Sequence, residues 1–349
     1  MRDFLRNDRP ALVLAPMQDV TDLPFMRVLA RRGAPDWFVT EYFRVHPDSK
    51  LNPYILRSIT ENKTGRPIFA QMIGRDVECL VRTAQDLQRF PIAGIDLNLG
   101  CPAPIVCRKE AGGGLLRHPA VIDEIIGRLR EVIDGRFTVK TRLGYYAPDE
   151  FSELLNIFQR HAIDGLTIHS RTVHERYQSP VHPEWVNRAV QTLQCPVIAN
   201  GNIVDLATAR ATYRQTSANG LMIGRGAIRN PWIFSQIIAS FLGTEMPVPS
   251  YRDLWQYIEE LYQEIAMETP KFIPLAHVQR MKKTLAYISH GLTDRFEYEM
   301  RRAKTPDEFH SICRDQLDHD APLPAQPPND SKLFCGFAEL LETADHSQF

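Results

Sequence analysis

Up to about residue 230, short apolar runs alternate with stretches whose apolar positions recur every three or four residues. The runs are LVLAPM (12–17), WFVTEY (37–42), PIFAQMIG (67–74), GIDLNLG (94–100), FTVKTRLG (137–144), GLTIHSRT (165–172), CPVIANG (195–201) and GLMIGRGA (220–227). Each ends abruptly in polar residues or glycine. Continuous apolar strands separated by helices mean a parallel sheet covered on both faces. Eight such units predict an α/β fold, a (β/α)8 TIM barrel, rather than an open doubly wound sheet. No early GxGxxG offers a dinucleotide-binding fingerprint.

After about residue 245 the pattern changes. MPVPS (246–250) reads as a linker, and no strand-like run follows. Helical spacing covers 250–268 and 274–290, with two further helices at 292–303 and 306–317. The Pro- and Asp-rich stretch 318–330 reads as a flexible segment, followed by a short closing helix able to dock back. The expected division is a catalytic barrel over 1–244 and a small all-helical domain with a Pro-rich tail over 245–349.

Composition narrows the class. The chain has 349 residues, 44% hydrophobic and 24% charged, enough for a packed core. Mean hydropathy is -0.28 and no run of about 18 apolar residues occurs, so no membrane span is expected. The opening MRDFLRNDRP is charged and lacks the apolar stretch of a signal peptide. Six cysteines without a CxxC pair suggest neither a disulfide framework nor a zinc site, and no HExxH is present, so no metal is expected. The chain reads as cytoplasmic, with reduced thiols. A net charge of -1 argues against a globally basic nucleic-acid binder and leaves local patches open.

In such a barrel the active site lies at the C-terminal ends of the strands. Residues two apart share a strand face, so Lys140 pairs with Arg142, His169 with Arg171, and Asp96 with Asn98. Gln71 closes the third strand and Asn200 the seventh. Any one of these alone reads as a satisfied rim residue. Together they need a ligand, because a dry barrel core does not collect so many charges unpaired. NGNI (200–203) and IGRGAIRNPW (223–232) put glycines in the loops after strands seven and eight, where barrels commonly bind phosphate. Arg225 is the candidate phosphate clamp; a tight βα turn is the plainer reading. Cys101 directly follows strand four at the catalytic end. Cys79, Cys195, Cys313 and Cys335 read as inert thiols, and Cys107 stays ambiguous.

These segments resemble the tRNA-dihydrouridine synthase family. The residues carrying the likeness are APMQDVTD (15–22), TEYFRV (40–45), DLNLGCP with RKEAGGGLL (96–116), VKTRLG (139–144), IHSRT (168–172), ANGNI (199–203) and IGRGA (223–227). The resemblance implies a barrel that binds FMN, with NADPH as reductant. Hydride then passes to C6 of a uridine in folded RNA, and a cysteine in the GCP turn, here Cys101, protonates C5. It places FMN contacts at Pro16, Met17, Gln18, Gln71, Lys140, His169, Asn200, Gly201, Asn202, Gly224 and Arg225. Asn98, Lys109, Arg142 and Arg171 become substrate-side or supporting residues. TEYFRV and the helical region look nearest to the bacterial subgroup acting on position 16 of tRNA. APIVC (103–107) departs from the family, where many members carry Lys or Asn.

The chemistry of the residues suits those roles. A cation such as Lys140 near the pyrimidine edge of a reduced, anionic flavin stabilises it, and His169 adds a hydrogen bond. An ordinary thiol is mostly protonated at neutral pH and serves as a general acid. The thiolate left behind would be stabilised by Lys109 or Arg142. A stacked uracil must be extruded into the barrel mouth, with the RNA held outside by shape and phosphate contacts. Residues 271–304 carry eight Lys and Arg against three acids, which makes Arg280, Lys282 and Lys283 candidate phosphate contacts on tRNA. Two other classes compete: an FMN-dependent barrel acting on a small molecule, of dihydroorotate dehydrogenase or enone reductase type, and a non-catalytic RNA-binding barrel. Nothing demands more than a monomer.

Overall fold

The computed structural model describes residues 1–269, 271, 273–328 and 331–334. The strands are β1 (Ala11–Leu14), β2 (Trp37–Val39), β3 (Phe43–Arg44), β4 (Ile68–Ile73), β5 (Gly94–Leu99), β6 (Arg136–Arg142), β7 (Gly165–His169), β8 (Val197–Asn200) and β9 (Gly220–Ile223). All pairings between them are parallel. β1 pairs with both β2 and β9, and β2 with β4, so the sheet closes into the expected eight-stave barrel. The second stave is split. β2 stops at Val39, and the chain resumes as β3 against Met72 and Ile73, leaving Thr40–Tyr42 as a break at the rim.

Between the strands run α1 (Leu23–Gly33), α2 (Pro53–Thr60), α3 (Val77–Leu87), α4 (Pro104–Arg108), α5 (Pro119–Val132), α6 (Phe151–Arg160), α7 (Pro183–Thr192), α8 (Leu206–Thr216), α9 (Arg225–Arg229) and α10 (Ile233–Leu242). Their starts follow from local chemistry. Asp22, Asn52, Asp76 and Asp205 accept backbone N–H bonds at the first turns of α1, α2, α3 and α8. The barrel floor is closed by apolar packing. Ala11, Val13, Trp37, Val39 and Phe69 face inward, and Phe4 stacks 5.8 Å from Trp37 and 5.9 Å from Phe69. The opposite ends of the strands stay open.

The four later helices are α11 (Tyr251–Glu268), α12 (Pro274–Ile288), α13 (Asp294–Arg302) and α14 (Pro306–Leu317), close to the spans the periodicity predicts. Their apolar faces join the barrel helices in one contiguous core. α11 lies along α1, where Arg31 meets Glu264 at 2.8 Å and Arg27 meets Glu268 at 3.3 Å. The buried Tyr257 hydroxyl donates to the Ile228 carbonyl at 3.0 Å. Among the described residues no helix is long and apolar enough to cross a membrane.

The segment expected to be flexible is instead tied down over 318–328. Pro322 bridges Ser250, and Leu323 N donates to the Pro249 carbonyl at 2.8 Å. The buried Arg229 guanidinium donates to the carbonyls of His290, Pro324, Ala325 and Gln326. Proline-rich chain loses less entropy on such ordering, because its φ angles are already fixed. A single 3-10 turn, Lys332–Phe334, does dock onto the barrel. The closing helix expected beyond it, and Cys335, lie outside the described residues.

Candidate active site

The floor of the open end is a buried polar relay. Asp96 accepts from the Thr138 hydroxyl at 2.6 Å and from the Gln71 amide at 2.7 Å. Burial pushes its carboxyl above the usual carboxylate range. The other end of the Gln71 amide accepts from Asn98 Nδ2 at 2.8 Å. Asn98 Oδ1 then accepts from the backbone N–H of Gly100 and of Cys101, both at 3.0 Å. These bonds turn the chain sharply at the end of β5 and place Cys101 on the rim. Strand register dictates the arrangement, since Gln71 stands opposite Asp96 and Asp96 opposite Thr138.

The cationic wall comes from β6 and β7. Register sets Asn98 beside Lys140, Arg142 beside His169, and His169 beside Asn200. Burial, followed by the nearby Arg142 charge, pulls the Lys140 ammonium down to about 8. The same burial, together with Arg142, Arg171 and Lys140, holds His169 well below the ordinary histidine range, so its imidazole is neutral at pH 7. Arg142 is fully buried, and its donors go to carbonyls: Gly100 at 3.0 Å, Thr172 at 2.8 Å and Arg176 at 2.8 Å. It clamps the Cys101 turn to the loop after β7. Arg171, also fully buried, donates to the carbonyl of Ser179 and to Asn202 Oδ1 at 3.3 Å. Both arginines act here as supports.

Above this floor opens a cavity of about 350 Å³. Its walls include Pro16, Met17, Gln18, Asn98, Cys101, Lys140, Arg142, His169, Asn200, Gly201, Asn202, Gly224 and Arg225, so most of the sequence-predicted site converges on one space. Gln71, Lys109 and Arg171 are not among its walls. Gln71 lies beneath it with both ends of its amide engaged, and Lys109 is exposed at the end of α4. Gly201 has φ 128°, and a Cβ there would approach Ser170 Oγ at 3.2 Å, so only glycine fits the turn after β8. A Cβ on Gly224 would meet Met17 Sδ at 3.2 Å.

Among the described residues, three buried polar atoms of residues lining this cavity have no hydrogen-bond partner: Gln18 Oε1, His169 Nδ1 and Arg225 Nη1. Buried polar groups are normally paired. Three such orphans on residues lining one glycine-walled cavity therefore fit a bound group carrying both hydrogen-bonding heteroatoms and negative charge. An FMN-sized ligand meets that description: Lys140 and His169 for the ring system, and the Gly201, Asn202, Gly224 and Arg225 end for a phosphate.

Several wall residues carry no signal in the sequence pattern. Tyr42 stands in the break of the second stave. Tyr177, on the loop after β7, lies over Arg142 at 5.1 Å and Arg225 at 4.6 Å and meets the His169 ring edge-on at 5.8 Å. Tyr287 from α12, with Leu333 and Phe334 from the tail, completes the mouth. Beside it, Glu41 is pushed up to about 8 by burial and by the charges of Asp22 and Asp19. The basic candidates sit on α12 outside the cavity. Arg280 is paired with Asp22, Lys283 Nζ meets Asp19 at 2.9 Å, and Lys282 Nζ donates to the Arg301 carbonyl at 3.0 Å. Two of these three cations are thus tied to the loop that carries Gln18.

A family model described as dihydrouridine synthase matches residues 13–321. A tRNA-dihydrouridine(16) synthase of Pseudomonas putida is 33% identical over 290 residues, 80% of this chain and 88% of that protein. A tRNA-dihydrouridine(16) synthase of Neisseria meningitidis is 31% identical over 314 residues, 86% of this chain and 93% of that protein. A probable tRNA-dihydrouridine synthase 2 of Bacillus subtilis is 35% identical over 238 residues, 65% of this chain and 72% of that protein. Among solved structures, a histamine dehydrogenase from Rhizobium sp. 4-9 superposes with TM-score 0.53 at 11% identity, covering 89% of this chain and 63% of the other. A morphinone reductase superposes with TM-score 0.50 at 12% identity, covering 66% and 87%. At such identities the structural likeness speaks for the barrel alone.

Proposed function

The chain belongs to the dihydrouridine synthase family, and from that premise we propose how it reduces uridine in tRNA and which uridine it takes. It is a flavin-dependent oxidoreductase that saturates the C5–C6 bond of a tRNA uridine. The observation carrying the site assignment is the convergence of Gln18 Oε1, His169 Nδ1 and Arg225 Nη1, all unpartnered, on a cavity with Cys101 at its rim. The flavin is FMN, the reductant NADPH, and the uridine that at position 16, the position named for two of the relatives.

Lys140, His169, Asn200 and Arg225 would hold FMN, which when reduced would supply the hydride for C6. The chain's own residues do the rest. Lys140 keeps a cation on the cavity wall at neutral pH and favours a ligand that gains negative charge there. Neutral His169 offers Nδ1 to a hydrogen bond without adding a competing charge. Cys101 holds a proton on Sγ and delivers it to C5, and solvent at the open mouth restores that proton to the thiolate. Asn98 and Arg142 fix the Cys101 turn from its N–H and C=O sides respectively. The helices α11–α14 hold the RNA outside, with Arg280, Lys282 and Lys283 facing phosphate, so that one extruded base reaches the cavity. The enzyme works in the cytoplasm, and one copy of the chain suffices.

Anaerobic reduction of the flavin followed by addition of unmodified tRNA tests this reading. Fast reoxidation with one new dihydrouridine at position 16 is expected. The Cys101→Ala variant keeps flavin content and NADPH oxidation while dihydrouridine formation falls at least about a hundredfold, the usual contribution of a positioned proton donor. Wild-type rates in that variant would remove Cys101 from the chemistry. Reoxidation by small enones with inert tRNA would refute the substrate assignment.

A further inference from the structure

The family match ends at residue 321, yet the chain continues across the mouth of the cavity. The path is anchored at successive points. Arg229 holds the carbonyls of Pro324, Ala325 and Gln326, and the Ser331 hydroxyl meets His290 Nδ1 at 2.9 Å. Phe334, only 1% exposed, then packs against Val204, itself a wall of the cavity.

We propose that residues 331–334 form a strap that retains the cofactor, with Phe334 as the residue that seals the phosphate end. This rests on the flavin reading above and adds a cofactor-holding element from outside the family match. The argument turns on Arg225. Its guanidinium lies 5.2 Å from the Phe334 ring and 4.6 Å from the Tyr177 ring, so aromatic rings attend its π surface. A guanidinium stacked in this way keeps its N–H groups in the plane for oxyanions. Nη1 is such a group, buried and without a partner.

Phe334 therefore fixes the orientation of the cation and excludes water from it, and both effects strengthen its hold on a phosphate. The roughly 350 Å³ of the cavity is the space left with Phe334 already in place as a wall. The strap bounds the cavity and does not fill it, which distinguishes a retaining element from a plug.

The test is the rate at which FMN leaves, followed by flavin fluorescence after dilution into excess apoflavodoxin-type scavenger protein. The proteins compared are the full chain, Phe334→Ala, Phe334→Trp and a chain ending at Pro328. Phe334→Ala and the shortened chain are expected to release FMN at least about tenfold faster, with Phe334→Trp restoring slow release. Each cofactor-free variant should still unfold in a single cooperative transition above the assay temperature, and Phe334→Trp, which keeps an aromatic ring beside Arg225, separates loss of the ring from loss of packing. Release rates within twofold of the full chain, or slower release from the shortened chain, overturn the strap alone. A full chain that takes up no FMN overturns the cofactor reading and the strap with it.

Discussion

Asn98 is the residue on which the Gly100–Cys101 turn depends, and its removal gives a calculable loss. In Asn98→Ala the N–H groups of Gly100 and Cys101 lose their shared acceptor, and Gln71 Oε1 loses its donor. The Gly100 N–H and Gln71 Oε1 are buried, while Cys101 is half-buried, so water at the cavity can re-satisfy the last. Each buried polar group left unpaired costs about 1–3 kcal/mol, which puts the change for the two at about 2–6 kcal/mol of stability. Gln71→Met breaks the same Asn98–Gln71 bond from its other side and also removes a donor to Asp96. Because the two substitutions share one hydrogen bond, the double variant should be less damaged than the sum by about 1 kcal/mol.

Urea unfolding of the four proteins, read by intrinsic fluorescence, gives those energies. Dihydrouridine formation is then measured by mass at a urea-free temperature where all four are folded. Asn98→Ala is expected to lose at least about tenfold in rate, because a thiol displaced by even an ångström is misaligned for proton transfer. Flavin content should persist. A stability loss under about 1 kcal/mol with an unchanged rate would refute the reasoning. It would mean that the turn is held by Arg142 on the Gly100 carbonyl and by the Gly113 N–H on the Cys101 carbonyl.

Three further outcomes follow from the electrostatics. Glu41 holds its proton in the folded chain up to about pH 8 but loses it in the unfolded chain near the ordinary carboxylate range. The folded state thus binds more protons between those limits, and stability falls as pH rises through that window. Glu41→Gln should flatten the fall and gain about 2–4 kcal/mol at pH 8, with the Gln18 amide turned so that its orphaned Oε1 accepts from the new NH2; chemical denaturation across pH decides it. Lys140 loses its cation as pH rises through about 8, so Lys140→Met should lower the flavin midpoint potential at neutral pH and weaken its pH dependence around 8; an unchanged potential would move the charge effect elsewhere. Lys282→Glu with Lys283→Glu should weaken tRNA binding and reduce its salt slope by about 2 while leaving flavin content intact, whereas an unchanged slope would remove α12 from the RNA contact.

The barrel was legible because strands buried on both faces carry short apolar runs, and these eight segments do, with their polar residues gathered mainly toward the C-terminal ends. The strand-end residues were legible for a related reason: a period of two leaves Lys140 and Arg142, or Asp96 and Asn98, no choice but to share a face. What the pattern does not contain is where each side chain's donors end up. Lys140 and Arg142 look alike in VKTR and both line the cavity, yet one is a charge whose hold on its proton is weakened by burial, and the other is clamped on three carbonyls. The difference comes from Thr172 and Arg176, whose loop folds back over β6 for reasons spread across the structure. The basic count over 271–304 has the same blind spot, because the acids that answer Arg280 and Lys283 are Asp22 and Asp19, more than two hundred residues earlier in the chain. Those two ion pairs change what the patch can do. Both acids flank Gln18 or cap the helix after it, so a phosphate that draws Arg280 or Lys283 away from them alters the field on the loop forming one wall of the cofactor cavity. RNA docking on α12, as proposed, would thereby be physically connected to the proposed flavin cavity, through two acids that a reading of local charge along the sequence assigns to neither.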